Sequence, residues 1–267
     1  MLPLQELTQG LASGDAVLVC VDATAGSVPR EAGAWMAVFA DRVVGTIGGG
    51  HLELQAIGEA RARLAGGAGE PVLRYPLGPS LGQCCGGVVH LRYERLAAAD
   101  APGLAARLRV PASPVALFGG GHVGRALVRV LGTLPFAVTW IDSRDEIFPD
   151  TVPDNVACEH SDPVQAAVAD LVPGSRVLVM SFSHAEDLDI VAACLQRLRE
   201  RDDLPYVGLI GSKTKWATFR HRLRERGFIE PELARVTCPI GIPGIAGKEP
   251  EVIAVAVAAQ LLQASLP

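Results

Sequence analysis

A run of glycines between an apolar segment and a helical segment constrains the second half of this chain most strongly. A strand is predicted at residues 115–118, and the turn after it reads Gly119-Gly120-Gly121-His122-Val123-Gly124. Glycines at the first, third and sixth positions of such a turn allow a tight bend, close approach of a pyrophosphate and close helix packing. Asp142 ends the next predicted strand, where an acidic side chain can accept hydrogen bonds from ribose hydroxyls. The pattern predicts a Rossmann-type nucleotide-binding domain whose ligand contacts are Gly119, Gly121, Gly124 and Asp142.

The order of the later predicted elements supports this interpretation. Further strands are expected at 137–141, near 156, at 177–181 and at 206–210, and helices at 186–199 and 213–226. This repeated strand–helix order is typical of a doubly wound parallel sheet. A tight turn can also keep its glycines for packing alone, with Asp142 capping a loop, and that alternative stays open.

The first 95 residues show a different pattern, with short strands and one helix. Strands are expected at 16–24, 35–39, 42–47, 71–75 and 88–93, and a helical spacing of apolar residues follows Gly48-Gly49-Gly50. Residues 96–113 mix alanine-rich helical stretches with prolines, as a linker between domains would. We therefore predict an α/β protein with a small N-terminal α+β domain at 1–95, a linker at 96–113 and a Rossmann-like doubly wound parallel-sheet domain at 114–267.

Charge and hydropathy exclude several classes of partner. The 267 residues carry a formal net charge of −5 without any block of like charges, which argues against nucleic acid. The N-terminus lacks the basic residues and unbroken apolar run of an export signal. The longest apolar stretch, 252–262, is shorter than the roughly 20 residues that cross a bilayer. We expect a cytoplasmic homo-oligomer that binds neither membrane nor nucleic acid.

The six cysteines do not form a zinc site or a redox dithiol by their spacing, because none is part of a CxxC pair. Cys20, Cys158 and Cys194 lie in apolar or helical segments and are expected to be buried hydrophobic residues. A reduced cytosol fits this cysteine content best.

Six short motifs, each weak alone, follow one another along the chain. They are GSVPR at 26–30, GTIGGGHLE at 45–53, CCGG at 84–87, SHAED at 183–187, YVGLIGSK at 206–213 and CPIG at 238–241. In this combination the sequence resembles the XdhC/CoxI family, the accessory proteins that mature xanthine dehydrogenase and related molybdenum hydroxylases. The resemblance extends from near residue 16 to about residue 260.

The resemblance implies a maturation chaperone of purine catabolism and not an enzyme. Such a protein binds the molybdenum cofactor, molybdopterin, protects it while a cysteine desulfurase supplies its terminal sulfur, and delivers it to the molybdenum-binding subunit of xanthine dehydrogenase. Cys85 matches the family's Cys-Gly-Gly pattern and is the candidate contact to molybdenum, with Cys84 the second candidate. Thiolates are good ligands of soft metals, and adjacent cysteines do not readily pair with each other. Two small residues that merely fill a turn are the structural alternative.

Other candidate cofactor contacts lie on loops. Arg30 can hold a phosphate in a bidentate manner, and Glu53 can accept hydrogen bonds from pterin-type N–H groups. The turn Gly48-Gly49-Gly50 precedes a helix and is compatible with an anion. His184 follows a strand at the carboxyl edge, where open α/β sheets bind ligands. Each of these residues can equally have a structural role as a cap, a close-packed turn or a surface side chain.

Two lysines, Lys213 and Lys215, begin a predicted helix, where cations are unfavourable unless an anion lies close by. This position favours a bound phosphate or an acidic partner, although a solvated lysine pair is an alternative. The glycine turn also leaves two other functions open, an NAD(P)-dependent oxidoreductase and a nucleotide-sensing interaction module. For the oxidoreductase, only His184 is available as a proton donor.

Overall fold

The computed structural model describes residues 3–78, 86–108 and 112–264, which form two separate sheets. The chain divides into the units Met1–Val110 and Pro111–Pro267. The first sheet is antiparallel and the second parallel, which confirms the predicted α/β class with a Rossmann-like second half. In the described part of the chain, no helix is both long and apolar enough for a bilayer crossing.

The first unit consists of a five-stranded antiparallel sheet and three helices in its described residues. Its elements are α1 (Pro3–Leu11), β1 (Ala16–Ala25), β2 (Trp35–Val38), β3 (Val43–Gly45), α2 (Gly50–Leu64), β4 (Val72–Pro76), β5 (Val88–Leu96) and α3 (Ala101–Leu108). The strand order is β3-β2-β1-β5-β4. The first six residues of the central strand, β1, are all apolar because both faces of this part of the strand are covered.

Side chains that alternate along β1 pack into two different cores. Val17 and Val19 belong to the core that contains Leu52 of α2. Leu18 belongs to a second core on the other face, together with residues of α1 and α3 that include Leu104. Helix α3 lies within the segment 96–113, and its fully buried Leu104 makes it part of the first unit.

The second unit contains a six-stranded parallel sheet. Its elements are β6 (Ser113–Phe118), α4 (His122–Leu131), β7 (Phe136–Asp142), β8 (Val156–His160), β9 (Arg176–Val179), α5 (His184–Arg201), β10 (Tyr206–Leu209), α6 (Lys213–Glu225), α7 (Glu230–Leu233), β11 (Val236–Thr237) and α8 (Pro250–Gln263). The strand order is β11-β10-β9-β6-β7-β8. When β6 is counted as the first strand, this is the 3-2-1-4-5-6 order of dinucleotide-binding Rossmann domains.

The strand order reverses between β6 and β9, and open α/β sheets bind ligands outside the carboxyl ends of their strands at such a point. Helices α4 and α8 share a core on one face of the sheet. Helix α5 and the 3-10 segment Val164–Asp170 share a core on the other face. The glycine turn after β6 and the loop after β9 therefore flank the expected ligand crevice.

Several element boundaries differ from the sequence prediction, and for two of them the local reason is visible. Helix α5 begins at His184 and not at residue 186, because the Ser183 side chain accepts a hydrogen bond from the Glu186 N–H and caps the helix. Strand β3 ends at Gly45 and not at residue 47, because the following residues form a turn that is hydrogen-bonded to Glu53.

Candidate functional site

The glycines at the first, third and sixth positions of the pattern after β6 have different surroundings. Gly119 has a φ of +124°, and a Cβ atom on it would lie 2.1 Å from the Met180 carbonyl oxygen. A Cβ atom on Gly124 would lie 2.0 Å from the Gly119 carbonyl oxygen. At Gly121, however, a Cβ atom would meet nothing within 4 Å. The first and last glycines are thus required by packing, whereas Gly121 faces open space at the start of α4.

Asp142 lies at the end of β7, as predicted, but its carboxylate already has protein partners. The residue is 2% exposed, and its Oδ2 accepts hydrogen bonds from the Gly120 N–H at 2.6 Å and Arg144 Nη2 at 2.9 Å. Its Oδ1 accepts from Arg144 N at 2.9 Å and Arg144 Nε at 2.8 Å. Burial acts to raise the pKa of Asp142, but these donors outweigh it and hold the pKa below its usual value. The expected acceptor of ribose hydroxyls instead ties the glycine turn to Arg144.

Arg144 and Phe182 meet across the carboxyl end of β6. Arg144 follows β7 and Phe182 follows β9, the two neighbours of β6 in the sheet. The Arg144 guanidinium carbon lies 4.8 Å from the centroid of the Phe182 ring, and Phe182 is 62% exposed. Beside this pair, Ser143 Oγ donates a hydrogen bond to Glu186 Oε1 at 2.6 Å. Neither Arg144 nor Phe182 was predicted from the sequence, although an arginine just after the acid of β7 is a known position for ribose-phosphate recognition.

A buried ion pair joins the elements that follow β9 and β10. Asp187 is 2% exposed, and its Oδ1 accepts hydrogen bonds from the backbone N–H and the hydroxyl of Ser181 at 2.8 and 2.9 Å. Its Oδ2 accepts from Lys215 Nζ at 2.6 Å, and Lys215 also donates to the Ile210 carbonyl at 2.8 Å. The anion that the sequence required beside Lys215 is therefore Asp187 of the same chain. In the sequence, the only indication of this partner was that the motif at 183–187 ends in an aspartate.

His184 lies at the carboxyl edge of the sheet, where the sequence predicted it, as the first residue of α5. The residue is exposed, and its ring contacts the buried Phe219 edge to face with a centroid separation of 6.3 Å. This contact gives the ring a packing role at the start of the helix.

In the first unit, the loop after β1 lies against two other glycine-containing loops. A Cβ atom on Gly48 would lie 2.6 Å from Pro29 Cβ and 3.3 Å from Arg30 Cγ. A Cβ atom on Gly87 would lie 2.5 Å from the Ser27 carbonyl oxygen. The loop after β1 is therefore in direct contact both with the turn before α2 and with the residues before β5, although these segments are apart in the sequence.

Glu53 closes the turn before α2. Its Oε2 accepts hydrogen bonds from Thr46 Oγ1 at 2.5 Å, Ile47 N at 3.0 Å and Gly49 N at 3.1 Å. We expected this carboxylate to accept from a pterin, and the structure instead gives the oxygen three partners within the turn. Gly49 and Gly50 have φ values of +76° and +65°, so the turn requires a backbone conformation that favours glycine.

Arg30 and Gly49 are the two residues at this turn whose surroundings leave room for a ligand. Within the described residues the exposed Arg30 forms no ion pair, and its side chain runs along Gly48. A Cβ atom on Gly49 would meet nothing within 4 Å. A cationic side chain and an open backbone position are thus adjacent at the start of α2.

The cysteines divide into three groups. Cys84 and Cys85 lie outside the described residues, and within residues 3–78, 86–108 and 112–264 no group of three or more His, Cys, Asp or Glu side chains is arranged to hold a metal ion. Cys194 is buried as predicted, and burial raises its pKa to about 12; Cys20 is only half-buried, and its partial burial raises its pKa to about 11. The prediction of a buried Cys158 was wrong, because β8 is an edge strand and Cys158 is exposed on it.

Family models match each half of the chain. The model of the XdhC Rossmann domain matches residues 115–261, and the model of the XdhC and CoxI family matches residues 11–76. The chain belongs to the XdhC family. This confirms the resemblance that the six sequence motifs indicated.

Two individual proteins match this XdhC protein at moderate or low sequence identity. The uncharacterized protein YqeB of Escherichia coli K12 is 31% identical over 249 residues, which are 89% of this chain but only 41% of that protein. The chain thus spans less than half the length of this curated relative. The crystal structure of a xanthine dehydrogenase from Bacillus halodurans matches with a TM-score of 0.75 at 20% identity, over 99% of this chain and 96% of the other. That similarity shows the fold.

Proposed function

We propose that this XdhC protein binds the molybdenum cofactor, protects it during sulfuration and delivers it to the molybdenum-binding subunit of xanthine dehydrogenase. Membership of the XdhC family supports an accessory role. The observation that carries the proposal is the contact between the family's glycine loops in the first unit, where Gly48 lies on Pro29 and Gly87 on Ser27. Loops that share no neighbouring sequence converge there beside an exposed arginine.

The residues at this point fit a ligand that carries a phosphate. Arg30 is exposed, forms no ion pair among the described residues and can bind a phosphate through two N–H groups. The open position at Gly49 admits a bulky group close to the backbone, and Glu53 keeps the turn in shape through its three hydrogen bonds. When bound, the cofactor supplies the molybdenum centre and its terminal sulfur. We assign Cys85 as the contact to that centre, as the family resemblance implies, and a cysteine desulfurase as the sulfur donor.

The test is the pterin and molybdenum content of protein purified from a molybdopterin-producing cell. We expect wild-type protein to carry the cofactor and to activate cofactor-free xanthine dehydrogenase. Arg30→Gln should retain at least about tenfold less cofactor, because it removes the charged contact to the phosphate. Arg61→Gln is the matched control, since Arg61 is exposed on the last turn of α2, at the other end of the same helix.

Two results would overturn the proposal. The first is wild-type protein that is purified without pterin and fails to activate the dehydrogenase when free cofactor is supplied. Alternatively, turnover of a nicotinamide with a substrate by the purified protein would identify an oxidoreductase.

A further inference from the structure

We infer that the second unit binds an adenine dinucleotide with a phosphorylated ribose, of the NADP type, and that Arg144 recognises the ribose phosphate. The site is the crevice between the loops after β7 and β9, above the glycine turn. The inference concerns the second unit and does not depend on the cofactor proposed for the first.

The glycine turn provides the place for the pyrophosphate. Packing against the backbone accounts for Gly119 and Gly124, whose Cβ atoms would lie 2.1 and 2.0 Å from carbonyl oxygens. Packing does not account for Gly121, where a Cβ atom would meet nothing within 4 Å. The third position of the turn is where a dinucleotide pyrophosphate approaches the backbone most closely. The open space at Gly121 therefore fits a ligand.

Asp142 and Arg144 determine which ribose the crevice accepts. The Asp142 carboxylate accepts four hydrogen bonds from Gly120 and Arg144, so it is not available to a ribose hydroxyl. The same carboxylate fixes Nε and Nη2 of Arg144, and within the described residues Nη1 makes no hydrogen bond. The Arg144 side chain is 39% exposed. A fixed cation at this position favours a phosphate over a neutral hydroxyl group.

Phe182 provides a surface for the base. Its ring is 62% exposed and lies opposite the Arg144 guanidinium on the other wall of the crevice. Bases stack on aromatic rings and on arginine planes. An adenine that enters the crevice would exchange the contact between Arg144 and Phe182 for stacking on both groups.

Glu186 opposes this recognition. Its carboxylate accepts a hydrogen bond from Ser143 Oγ, next to Arg144 in the sequence, and its charge acts on Arg144. A ribose phosphate at Arg144 would experience repulsion from this carboxylate. Removing the charge of Glu186 should thus have the opposite effect to removing that of Arg144.

The experiment is calorimetric titration of the full chain with NADPH and with NADH. Wild-type protein should bind NADPH at least about tenfold more tightly than NADH. Arg144→Gln should abolish this preference by weakening NADPH binding alone, and Glu186→Gln should strengthen NADPH binding. Phe182→Ala should weaken the binding of NADPH and of NADH by the same factor, because stacking of the base does not involve the ribose phosphate. Arg129→Gln, at the far end of α4, is the control and should match the wild type.

The inference is overturned if the wild type binds neither ligand, binds both equally, or keeps its preference for NADPH in folded Arg144→Gln. Melting temperatures establish that each variant is folded. Pterin content measured on the same preparations separates this result from the cofactor proposal. Protein that retains pterin but binds no NADPH would contradict only the inference about the second unit.

Discussion

At the residue scale, the sequence gives the type of each residue, but the role of that residue depends on its neighbours in space. The glycine turn contains Gly119 and Gly124, which exclude a side chain by contact with the backbone, and Gly121, which does not. Asp142 is the acid that the pattern predicted, yet its partners are Gly120 and Arg144. The residues with open surroundings are therefore the ones to test for binding.

Gly121→Val should leave the second unit folded and abolish NADPH binding. Its Cβ would meet no protein atom within 4 Å, and the φ of −70° at Gly121 is ordinary for valine. The branched side chain would occupy the space that a pyrophosphate needs, so affinity should fall more than about tenfold. Calorimetric titration and a melting curve measure the two effects.

Gly124→Val is the contrasting variant of this test. Its Cβ would clash with the Gly119 carbonyl oxygen at 2.0 Å, so we expect a destabilisation of more than about 3 kcal/mol. Unchanged NADPH affinity in a folded Gly121→Val protein would show that the turn has only a structural role.

Cys85→Ala should lose the cofactor and fail to activate xanthine dehydrogenase in a reconstitution assay. The prediction follows from the proposed contact between the Cys85 thiolate and the molybdenum centre. Cys84→Ala should do less harm, because the family's Cys-Gly-Gly pattern begins at Cys85 and does not include Cys84. Pterin content and melting temperature must be measured together, and near-normal cofactor delivery by folded Cys85→Ala would remove this cysteine from the site.

At the element scale, two helices begin with a carboxylate that reaches back to the preceding loop. In α2, Glu53 bonds to the backbone of Ile47 and Gly49, and in α5, Asp187 bonds to Ser181. Carboxylates in the first turn of a helix accept hydrogen bonds from free N–H groups. They are also stabilised by the positive end of the helix dipole. Both helices thereby hold the loop on which candidate ligand contacts lie.

Glu53→Ala should loosen the turn before α2 without unfolding the unit. The loss of one carboxylate that accepts three hydrogen bonds should cost about 2 kcal/mol of local stability. Amide hydrogen exchange at Ile47 and Gly49 reports this directly, and both should exchange about thirtyfold faster at that cost. Gln55→Ala, at an exposed position of the same helix, should leave these rates unchanged. If the amides of Ile47 and Gly49 exchanged as slowly in Glu53→Ala as in the wild type, the turn would not need the carboxylate.

At the scale of the whole molecule, the two units have separate sheets and separate hydrophobic cores. Separate family models also match the two halves of the chain. The proposed ligands are likewise different, a molybdenum cofactor at the first unit and a phosphorylated dinucleotide at the second.

Variants of one unit should affect only the ligand of that unit. Arg30→Gln should reduce pterin content at least about tenfold and leave NADPH affinity within about twofold of the wild type. Gly121→Val should do the reverse, since each proposed site consists of residues of one unit. Pterin fluorescence and NADPH titration on the same preparations measure both. If either variant lost both ligands while folded, the two sites would be coupled and the division would be wrong.

The sequence determined the family and most of the elements, because both depend on short local patterns, although α1, α7, β11 and α8 were not predicted. Apolar runs and glycine positions predicted the parallel sheet and the turn after β6, and the starts and ends of most strands followed from them. Six short motifs were sufficient to place the chain in the XdhC family, which the family models confirmed. Where the prediction missed by two residues, at the start of α5, the Ser183 cap was also a local signal.

Only the tertiary structure decided how the polar side chains are paired. Asp142 bonds to Gly120, 22 residues away in sequence, and Lys215 bonds to Asp187, 28 residues away. Phe182 meets Arg144 because parallel strands carry distant loops to the same edge of the sheet. Hydrogen bonds and ion pairs depend on distances of a few ångströms between such residues, and local sequence patterns contain no information about those distances.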